Sequence, residues 1–210
     1  SILQNQQMDQ ETLRDFVKDI GDEAERLTRI TEPLLALTRL DSLPAGKTDR
    51  VDTGAVLERA VNMLLPVADA AGVTIRTSVK PECNIRCTQD DLYQICYNLL
   101  ENAVKYTEEG DAIVLAVTGG ENEVTISVKD TGIGISEEAM DKVFTRFYRD
   151  EKARATKDGS GLGLYIASLI TERHRGRIKV RRNQPKGTEF LVTLPNRGTS
   201  AGIRERIMTK

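Results

Sequence analysis

The fold of this chain is decided by the stretch Asn98-Leu-Leu-Glu-Asn102-Ala-Val-Lys105-Tyr106-Thr107, which two glycine-rich motifs follow. These are Asp130-Thr-Gly132-Ile-Gly134-Ile135 and Gly159-Ser-Gly161-Leu162-Gly163-Leu164. A single glycine doublet in a loop usually marks only a turn. The ordered set is more specific, because it combines two carboxamides one helical turn apart, an acidic residue before a glycine turn and a glycine-rich helix start. Together these parts suit a site that holds a metal ion, a purine and a polyphosphate.

In this order the motifs resemble the nucleotide-binding boxes of the catalytic module of sensor histidine kinases. That module belongs to a wider superfamily, which includes the gyrase and heat-shock chaperone ATPases. The resemblance extends over nearly all of residues 1–195, and it implies ATP and Mg²⁺ as the ligands of the site. It also implies transfer of the ATP γ-phosphoryl group to a histidine, and from there to an aspartate on a response regulator receiver domain.

The composition is that of an intracellular protein with one good core and an appendage. The 210 residues are 39% hydrophobic, and the formal net charge of −2 gives no electrostatic reason to expect a nucleic-acid partner. The three cysteines form an odd set without paired metal-ligand spacing, as expected of reduced cytosolic thiols. No apolar run approaches the roughly 18–20 residues of a membrane span. We therefore expect a cytoplasmic fragment, which would reach a membrane only through segments outside this sequence.

An amphipathic helix is predicted near the N-terminus. Its apolar residues, here called the apolar stripe, recur every three or four positions: Leu13, Phe16, Ile20, Ala24, Leu27, Ile30, Leu34 and Leu37. Such a stripe needs a partner, which is either the helix's own domain or other helices. The resemblance implies the second arrangement, a homodimer whose helical hairpins form a four-helix bundle. Residues 1–42 are then a partial hairpin, with 1–8 ending its first helix, and residues 43–50 are a linker.

The remainder, residues 51–195, mixes helical and strand patterns. Helices are predicted from a cap at Thr53 to about Gly72, from a cap at Thr88 through the first motif, and from Leu162 onward. Strands are predicted at 73–79, 112–117, 124–129, 178–182 and 188–194, the second and third forming a hairpin. This grouping predicts an α+β fold, a two-layer sandwich of a mixed sheet with helices on one face. The tail, 196–210, is predicted to be poorly ordered.

The amide pair is the predicted metal site. Asn98 and Asn102 share one helix face, and Mg²⁺ takes oxygen ligands while it bridges substrate phosphates to one or two protein groups. The Asn102 oxygen is the first choice, with Asn98 bound directly or through water; an unconnected pair of surface or capping amides is the alternative. Lys105 follows three residues later, close enough to reach the phosphates. The resemblance implies phosphate contact for Lys105 and base contact for Tyr106.

The two glycine motifs supply the predicted base and phosphate contacts. A buried Asp130 carboxylate could accept a hydrogen bond from the adenine amino group, which guanine lacks at that position, although such a residue can also simply cap a turn. Gly132 and Gly134 would let the backbone approach the ring. The second motif opens a helix whose N-terminus suits phosphate, and its candidate contacts are Gly159, Gly161, Leu162 and Gly163.

A phenylalanine-rich segment, Phe144-Thr-Arg146-Phe147-Tyr-Arg149, resembles the box that anchors a mobile lid over ATP in the family. Both phenylalanines are also expected to pack partly in the core. Either Arg146 or Arg149 could neutralise phosphate charge, and the sequence leaves the choice open. The charged residues 150–158 lack an apolar period and are predicted to form the lid.

Asn98 occupies the position at which the hydrolytic relatives carry a glutamate that activates water. An amide has no useful basicity near neutral pH, and the neighbouring Glu101 would point about 100° around the helix. This favours a phosphotransferase over an ATPase. The rival interpretations are an anti-sigma-type serine kinase, which the amphipathic helix disfavours, and a noncatalytic nucleotide-binding scaffold, which the intact motifs disfavour.

The single histidine, His174, lies in a segment that resembles the His-Gly-Gly turn of the family, with Arg175 in place of the first glycine. We expect His174 to be structural and the phosphoacceptor histidine to lie upstream of Ser1. The sequence therefore predicts a chain that binds ATP but does not phosphorylate itself.

Overall fold

The computed structural model describes residues 10–42, 49–80, 83–120, 122–150 and 159–196, and the chain divides into two units, Ser1–Ser42 and Leu43–Lys210. The first unit contains helix α1 (Gln10–Ser42), in agreement with the predicted amphipathic helix. Four stripe residues are 50–56% exposed: Leu13, Phe16, Ile20 and Leu27. No helix in the described segments is long and apolar enough to cross a bilayer. The predictions for residues 1–8, 151–158, 197–210 and most of the linker lie outside the described residues.

The second unit is built around a five-stranded mixed sheet. Its strands are β2 (Thr74–Val79), β4 (Ala112–Gly119), β5 (Glu123–Asp130), β6 (Arg177–Arg182) and β7 (Thr188–Pro195), in the order β2-β4-β5-β7-β6. β2 and β4 are parallel, whereas the other neighbouring pairs are antiparallel. A separate antiparallel ribbon joins β1 (Asp49–Asp52) to β3 (Asn84–Cys87).

The second layer consists of the helices α2 (Thr53–Ala70), α3 (Gln89–Tyr106) and α5 (Gly163–Arg173). Helix α3 lies between the other two and contacts both, and the three helices pack on strands of the five-stranded sheet. A one-turn helix, α4 (Glu137–Met140), follows β5. The predicted fold class, a two-layer α+β sandwich with a mixed sheet, is therefore confirmed.

Strand alternation determines which residues of the sheet face the core. In β5 every second residue is buried, and the series is Val124, Ile126, Val128 and Asp130. Successive side chains of a strand point to opposite faces, so Asp130 extends the apolar face by one polar position. The strand thereby places a carboxylate at the end of the core, between the sheet and the helix layer.

The starts of the helices agree only partly with the sequence predictions. Thr88 caps α3 as predicted, since its hydroxyl accepts from the Asp91 N–H at 3.1 Å. The predicted cap of α2 is wrong by one residue. Asp52 is the N-cap, its carboxylate accepts from the Gly54 N–H at 2.9 Å, and Thr53 is the first helical residue and is buried. Carboxylate and hydroxyl oxygens can both cap a helix, so the sequence permits either residue. The backbone conformation places Asp52, and not Thr53, at the N-cap position.

The ribbon of β1 and β3 was not predicted. Each strand has four residues, too few for alternation to stand out, and both contain charged side chains. One consequence is a correction to the linker, which was predicted to end at residue 50. Asp49 and Arg50 already pair with Cys87 and Arg86 in the ribbon.

The turn after α5 adopts the Schellman geometry around an unusual residue. The Gly176 N–H donates to the Thr171 carbonyl and the Arg175 N–H to the Glu172 carbonyl, at 2.9 and 2.8 Å. Arg175 has a φ of 57°, in the left-handed region where this motif normally has glycine. Its Cβ makes that conformation unfavourable by about 1–2 kcal/mol.

Replacing Arg175 by glycine should therefore stabilise the folded chain by about 1 kcal/mol, the relieved strain less the added entropy of an unfolded glycine. Chemical denaturation of both chains measures the difference. The matched control is Arg173→Gly, which makes the same chemical change inside α5 and should destabilise by a similar amount. Equal destabilisation by both variants would contradict the strain at Arg175.

Candidate nucleotide site

Helix α3 carries the four candidate site residues of the first motif, Asn98, Asn102, Lys105 and Tyr106, on its second half. Asn102, Lys105 and Tyr106 are partly exposed, whereas Asn98 is only 6% exposed. The Asn98 Nδ2 is buried and has no hydrogen-bond partner among the described residues. Because buried polar atoms are nearly always satisfied, this amide marks a position where a ligand or an ordered water belongs.

The glycine-rich start of α5 lies directly against this part of α3. A Cβ added to Gly163 would sit 3.3 Å from the Asn98 Oδ1, and one added to Gly159 would overlap the Lys105 Nζ. The absence of a side chain at Gly163 lets the two motifs approach closely, whereas the Lys105 ammonium at Gly159 is the end of a flexible side chain. The structure thus brings together residues that are about 60 positions apart in the sequence.

The turn after β5 is joined to the last residue of α3. The Ile133 N–H donates to the Tyr106 carbonyl at 3.1 Å, and a Cβ on Gly132 would overlap that same carbonyl oxygen. Gly134 has a φ of 73°. These two glycines therefore serve different purposes, since Gly132 provides room and Gly134 provides a backbone conformation that other residues rarely adopt.

Asp130 is buried at the centre of these segments, with 4% of its surface exposed. Its Oδ1 accepts from the Gly132 N–H and from the Thr188 N–H, each at 3.0 Å. Burial raises the pKa of this carboxyl, and the two backbone hydrogen bonds offset that effect only in part. The carboxylate is thus oriented through one oxygen, which leaves the Oδ2 edge for another donor.

The turn between β6 and β7 contributes residues that the sequence analysis did not select. Asn183 donates from Nδ2 to the Asp130 carbonyl at 2.7 Å, and Thr188 donates to the carboxylate. A Cβ on Gly187, whose φ is 103°, would overlap the Asp130 carbonyl oxygen. The one available signal was Gly187, which directly precedes Thr188 at the start of a predicted strand.

The start of α5 offers unsatisfied backbone donors. The helix begins at Gly163, with no side-chain cap and no acidic residue in its first turn. Free N–H groups and the helix dipole favour an anion at such an end. Leu162 is only 1% exposed, and its N–H donates to the Ser160 Oγ at 3.3 Å, so the donors available to a ligand are those that follow it in the helix.

The two candidate arginines have different surroundings. Arg146 is exposed and lies 4.8 Å above the Phe147 ring. Arg149 is half-buried, and its charge acts on Tyr106: burial raises the pKa of the Tyr106 hydroxyl, and the guanidinium opposes that rise. Of the two, Arg149 is therefore the one whose charge reaches the first motif.

The phenylalanine box connects to the second glycine motif through the backbone. The Phe147 N–H donates to the Gly161 carbonyl at 3.1 Å, and a Cβ on Gly161 would lie 2.8 Å from the Tyr148 carbonyl. Phe144 is half-buried and packs edge-to-face on Phe190, as expected. The expectation for Phe147 is wrong, because its side chain is 55% exposed on a left-handed backbone with φ of 62°.

His174 lies away from these segments and is held in a structural contact. It is 8% exposed, and its Nε2 lies 2.7 Å from the Asp91 Oδ2 in the first turn of α3. Burial by itself would raise the pKa of Asp91, but hydrogen bonds with His174 and Thr88 hold it below its ordinary value. The pair connects the end of α5 to the start of α3, in agreement with the structural role expected for this histidine.

The residues present suit a magnesium nucleotide. The amide oxygens of Asn98 and Asn102 are neutral ligands of the kind that fits a metal that keeps several waters. The unpaired Asn98 Nδ2 is a donor, which suits a phosphate oxygen or a water beside such a metal. Lys105 and the uncapped end of α5 provide positive potential next to them. Fold and site together define a class of protein: a two-layer α+β module that presents a glycine-rich, uncapped helix start beside a helix with paired amides.

The chain belongs to the family described as histidine kinase-, DNA gyrase B- and HSP90-like ATPases, whose profile matches residues 87–198, more than half of the chain. The resemblance to the catalytic module of sensor histidine kinases is thereby confirmed. The sensor protein SrrB of Staphylococcus aureus is 33% identical over 185 residues, which cover 87% of this chain and 32% of SrrB. The chain thus spans about a third of the length of that relative.

Two solved structures are similar to this fold. Full-length ShkA in complex with AMPPNP superimposes with a TM-score of 0.74 at 27% identity, over 87% of this chain and 38% of ShkA. The mycobacterial sensor histidine kinase MprB gives a TM-score of 0.63 at 25% identity, over 71% of this chain and 98% of that structure.

Proposed function

We propose that this chain is the ATP-binding part of a protein histidine kinase, and that it passes the γ-phosphoryl group of ATP to a histidine. The observation that carries the proposal is Asn98. A buried amide stands against Gly163, at the position where a water-activating carboxylate would be needed for hydrolysis. Because no general base activates water there, bound ATP is hydrolysed slowly and its γ-phosphoryl group remains available to a stronger nucleophile.

Recognition of the base is assigned to Asp130. Two backbone N–H groups occupy its Oδ1, so its Oδ2 is the edge that would accept from the adenine 6-amino group. Gly132 lets the turn after Asp130 lie directly against the Tyr106 carbonyl, so the residue that carries the Tyr106 ring is next to this turn. A base with an oxygen at position 6 would bring an acceptor to an acceptor, and this supports adenine as the preferred base.

Binding of phosphate and metal is assigned to α3 and to the start of α5. The Asn102 oxygen, with Asn98 directly or through water, would hold Mg²⁺, which supplies charge neutralisation for the phosphates. Lys105, the Gly159–Gly163 motif and Arg149 would hold the phosphate oxygens. Arg149 is preferred to Arg146 because its charge acts on Tyr106 while Arg146 is exposed on Phe147. Catalysis on this view is mostly positioning and charge stabilisation.

The proposal extends to the organisation of the whole protein. Residues 1–42 are assigned to a dimerisation and phosphotransfer hairpin, the segment from 43 to the start of β1 at Asp49 to a linker, 49–195 to the ATP-binding domain and 196–210 to a tail. The exposed apolar residues of α1 support a homodimer, because half-exposed leucine, isoleucine and phenylalanine side chains on one helix need a covering surface. A response regulator receiver domain is the proposed acceptor of the phosphoryl group, and the cytoplasm is the proposed compartment.

Phosphotransfer is tested on a longer chain, in which the upstream segment that contains the expected histidine is joined to Ser1. With γ-labelled ATP and Mg²⁺ we expect acid-labile, base-stable label on that histidine, and sedimentation should show a dimer. The same chain with the upstream histidine changed to glutamine should take up no label. Acid-stable label would instead support a serine kinase, and bound nucleotide with no transfer at all would support a scaffold.

A further inference from the structure

The turn between β6 and β7, residues 183–188, holds Asp130 at both its backbone and its side chain. Asn183 donates from Nδ2 to the Asp130 carbonyl at 2.7 Å, while the Thr188 N–H donates to the Asp130 carboxylate at 3.0 Å. The turn is itself closed by a bond of 3.0 Å from the Asn183 N–H to the Gly187 carbonyl. Asn183 is only 5% exposed, so these contacts are shielded from water.

The hydrogen-bond pattern at this point departs from that of an ordinary sheet. The pairing of β5 with β7 ends at Lys129 and Glu189, one residue before Asp130. The next N–H of β7, that of Thr188, is given to the carboxylate of Asp130 instead of to its backbone. The carbonyl of Asp130 is left for the side chain of Asn183. Asn183 thus replaces a bond of the strand ladder, and the replacement frees Thr188 to orient the carboxylate.

The orientation of the Asn183 amide follows from its partner. A carbonyl oxygen can only accept, so the amide nitrogen must face Asp130 and the amide oxygen must face away. That Oδ1 is buried without a hydrogen-bond partner among the described residues. A buried acceptor left in this way is unfavourable for folding, and such groups are often kept at functional positions.

We propose that Asn183 is a positioning residue for base recognition, acting through Asp130. The inference rests on the proposed function, because it takes Asp130 as the group that reads adenine. By holding the Asp130 carbonyl at the end of β5, Asn183 fixes the direction in which the free carboxylate edge points. Without that donor the carbonyl competes for the Thr188 N–H, the carboxylate loses one of its two orienting bonds, and its selection for a 6-amino base declines.

The test compares adenosine diphosphate with inosine diphosphate, which carries oxygen in place of the 6-amino group. Calorimetric titration with Mg²⁺ gives the affinity ratio for the natural chain and for Asn183→Ala. We expect Asn183→Ala to weaken adenosine diphosphate about tenfold and inosine diphosphate less than about twofold, so that the ratio falls. Asn183→Ser, which keeps a shorter donor, should recover part of the ratio. Gln184→Ala, an exposed neighbour in the same turn, should leave it unchanged.

A double-mutant cycle with Asp130→Asn separates positioning from general support of the fold. If Asn183 acts through Asp130, adding Asn183→Ala to Asp130→Asn should not lower the ratio further. Thermal unfolding of each variant identifies any that fail to fold. If Asn183→Ala does not fold, Asn183→Ser replaces it in the comparison. An unchanged ratio in Asn183→Ala and Asn183→Ser, or additive effects in the cycle, would overturn the inference. If the natural chain itself bound no adenine nucleotide, the proposed function would fail instead.

Discussion

Asp130→Asn is expected to weaken binding of Mg-ADP by about 1–3 kcal/mol, or roughly 5- to 150-fold, while the chain remains folded. The asparagine oxygen can still accept from the Gly132 and Thr188 N–H groups, so the local fold keeps both bonds. The new amide nitrogen is a donor, however, and it would meet the adenine amino group, which is also a donor. Isothermal calorimetry measures the loss.

Stability gives an independent measurement on the same variant. Burial raises the pKa of Asp130, so the folded state prefers the protonated carboxyl more than the unfolded state does. The stabilisation from this group is therefore complete below the unfolded pKa and is lost as pH rises through the higher folded pKa. Asparagine resembles the protonated form, and the variant without nucleotide should melt at or above the temperature of the natural chain.

The control for the loss of charge alone is Asp69→Asn, at an exposed position of α2. It should change neither the affinity for Mg-ADP nor the melting temperature without nucleotide. Unchanged ADP affinity in Asp130→Asn would remove this carboxylate from the site. A pH series adds a further check, because acceptance from adenine requires the ionised carboxylate. Affinity of the natural chain should decline on acidification at a higher pH than an ordinary aspartate would cause.

The second large effect concerns water. The natural chain should hydrolyse ATP barely above the uncatalysed rate even when Mg-ATP is fully bound, since Asn98 cannot take a proton from water. Asn98→Glu places a carboxylate one turn from Asn102, and a positioned general base contributes about 10²–10⁴-fold. Steady-state release of inorganic phosphate measures both rates.

The matched control is Asn98→Gln, which has the length of glutamate without its basicity. Both variants add one methylene beside Gly163, where space is limited, so the comparison cancels the cost of crowding. We expect hydrolysis only in Asn98→Glu. Rapid hydrolysis of ATP by the natural chain without an acceptor would contradict the proposal that bound ATP reacts only with a histidine. It would favour an ATPase.

The sequence was sufficient for those features that local chemistry dictates. Helix α3 follows from an N-capping threonine and apolar residues at helical spacing, and the hairpin of β4 and β5 follows from alternation on either side of a glycine turn. The motifs were recognisable because their residue types are demanded by chemistry: amides for a metal, a carboxylate for a base, and glycines where a backbone must come close.

Other features escaped the sequence because they depend on long-range packing. The contacts of Asn183 and Thr188 arise only when β7 pairs beside β5, which sets residues more than 50 positions apart against the carbonyl and the carboxylate of one aspartate. The choice of Asp52 over Thr53 as a cap, and the exposure of Phe147, likewise depend on the backbone path. Side-chain identity allowed either outcome in each case.

The sequence by itself therefore determined the family, the order of the three long helices and of the five strands of the mixed sheet, and the types of group proposed to meet a ligand. Only the tertiary structure decided which polar atoms are already engaged and which remain available: one oxygen of Asp130 is held by two N–H groups, and the amide nitrogen of Asn98 is held by nothing in the described residues. The physical reason is that hydrogen bonds form between groups that lie close together in the folded chain. Composition and spacing along the sequence do not specify which groups those are.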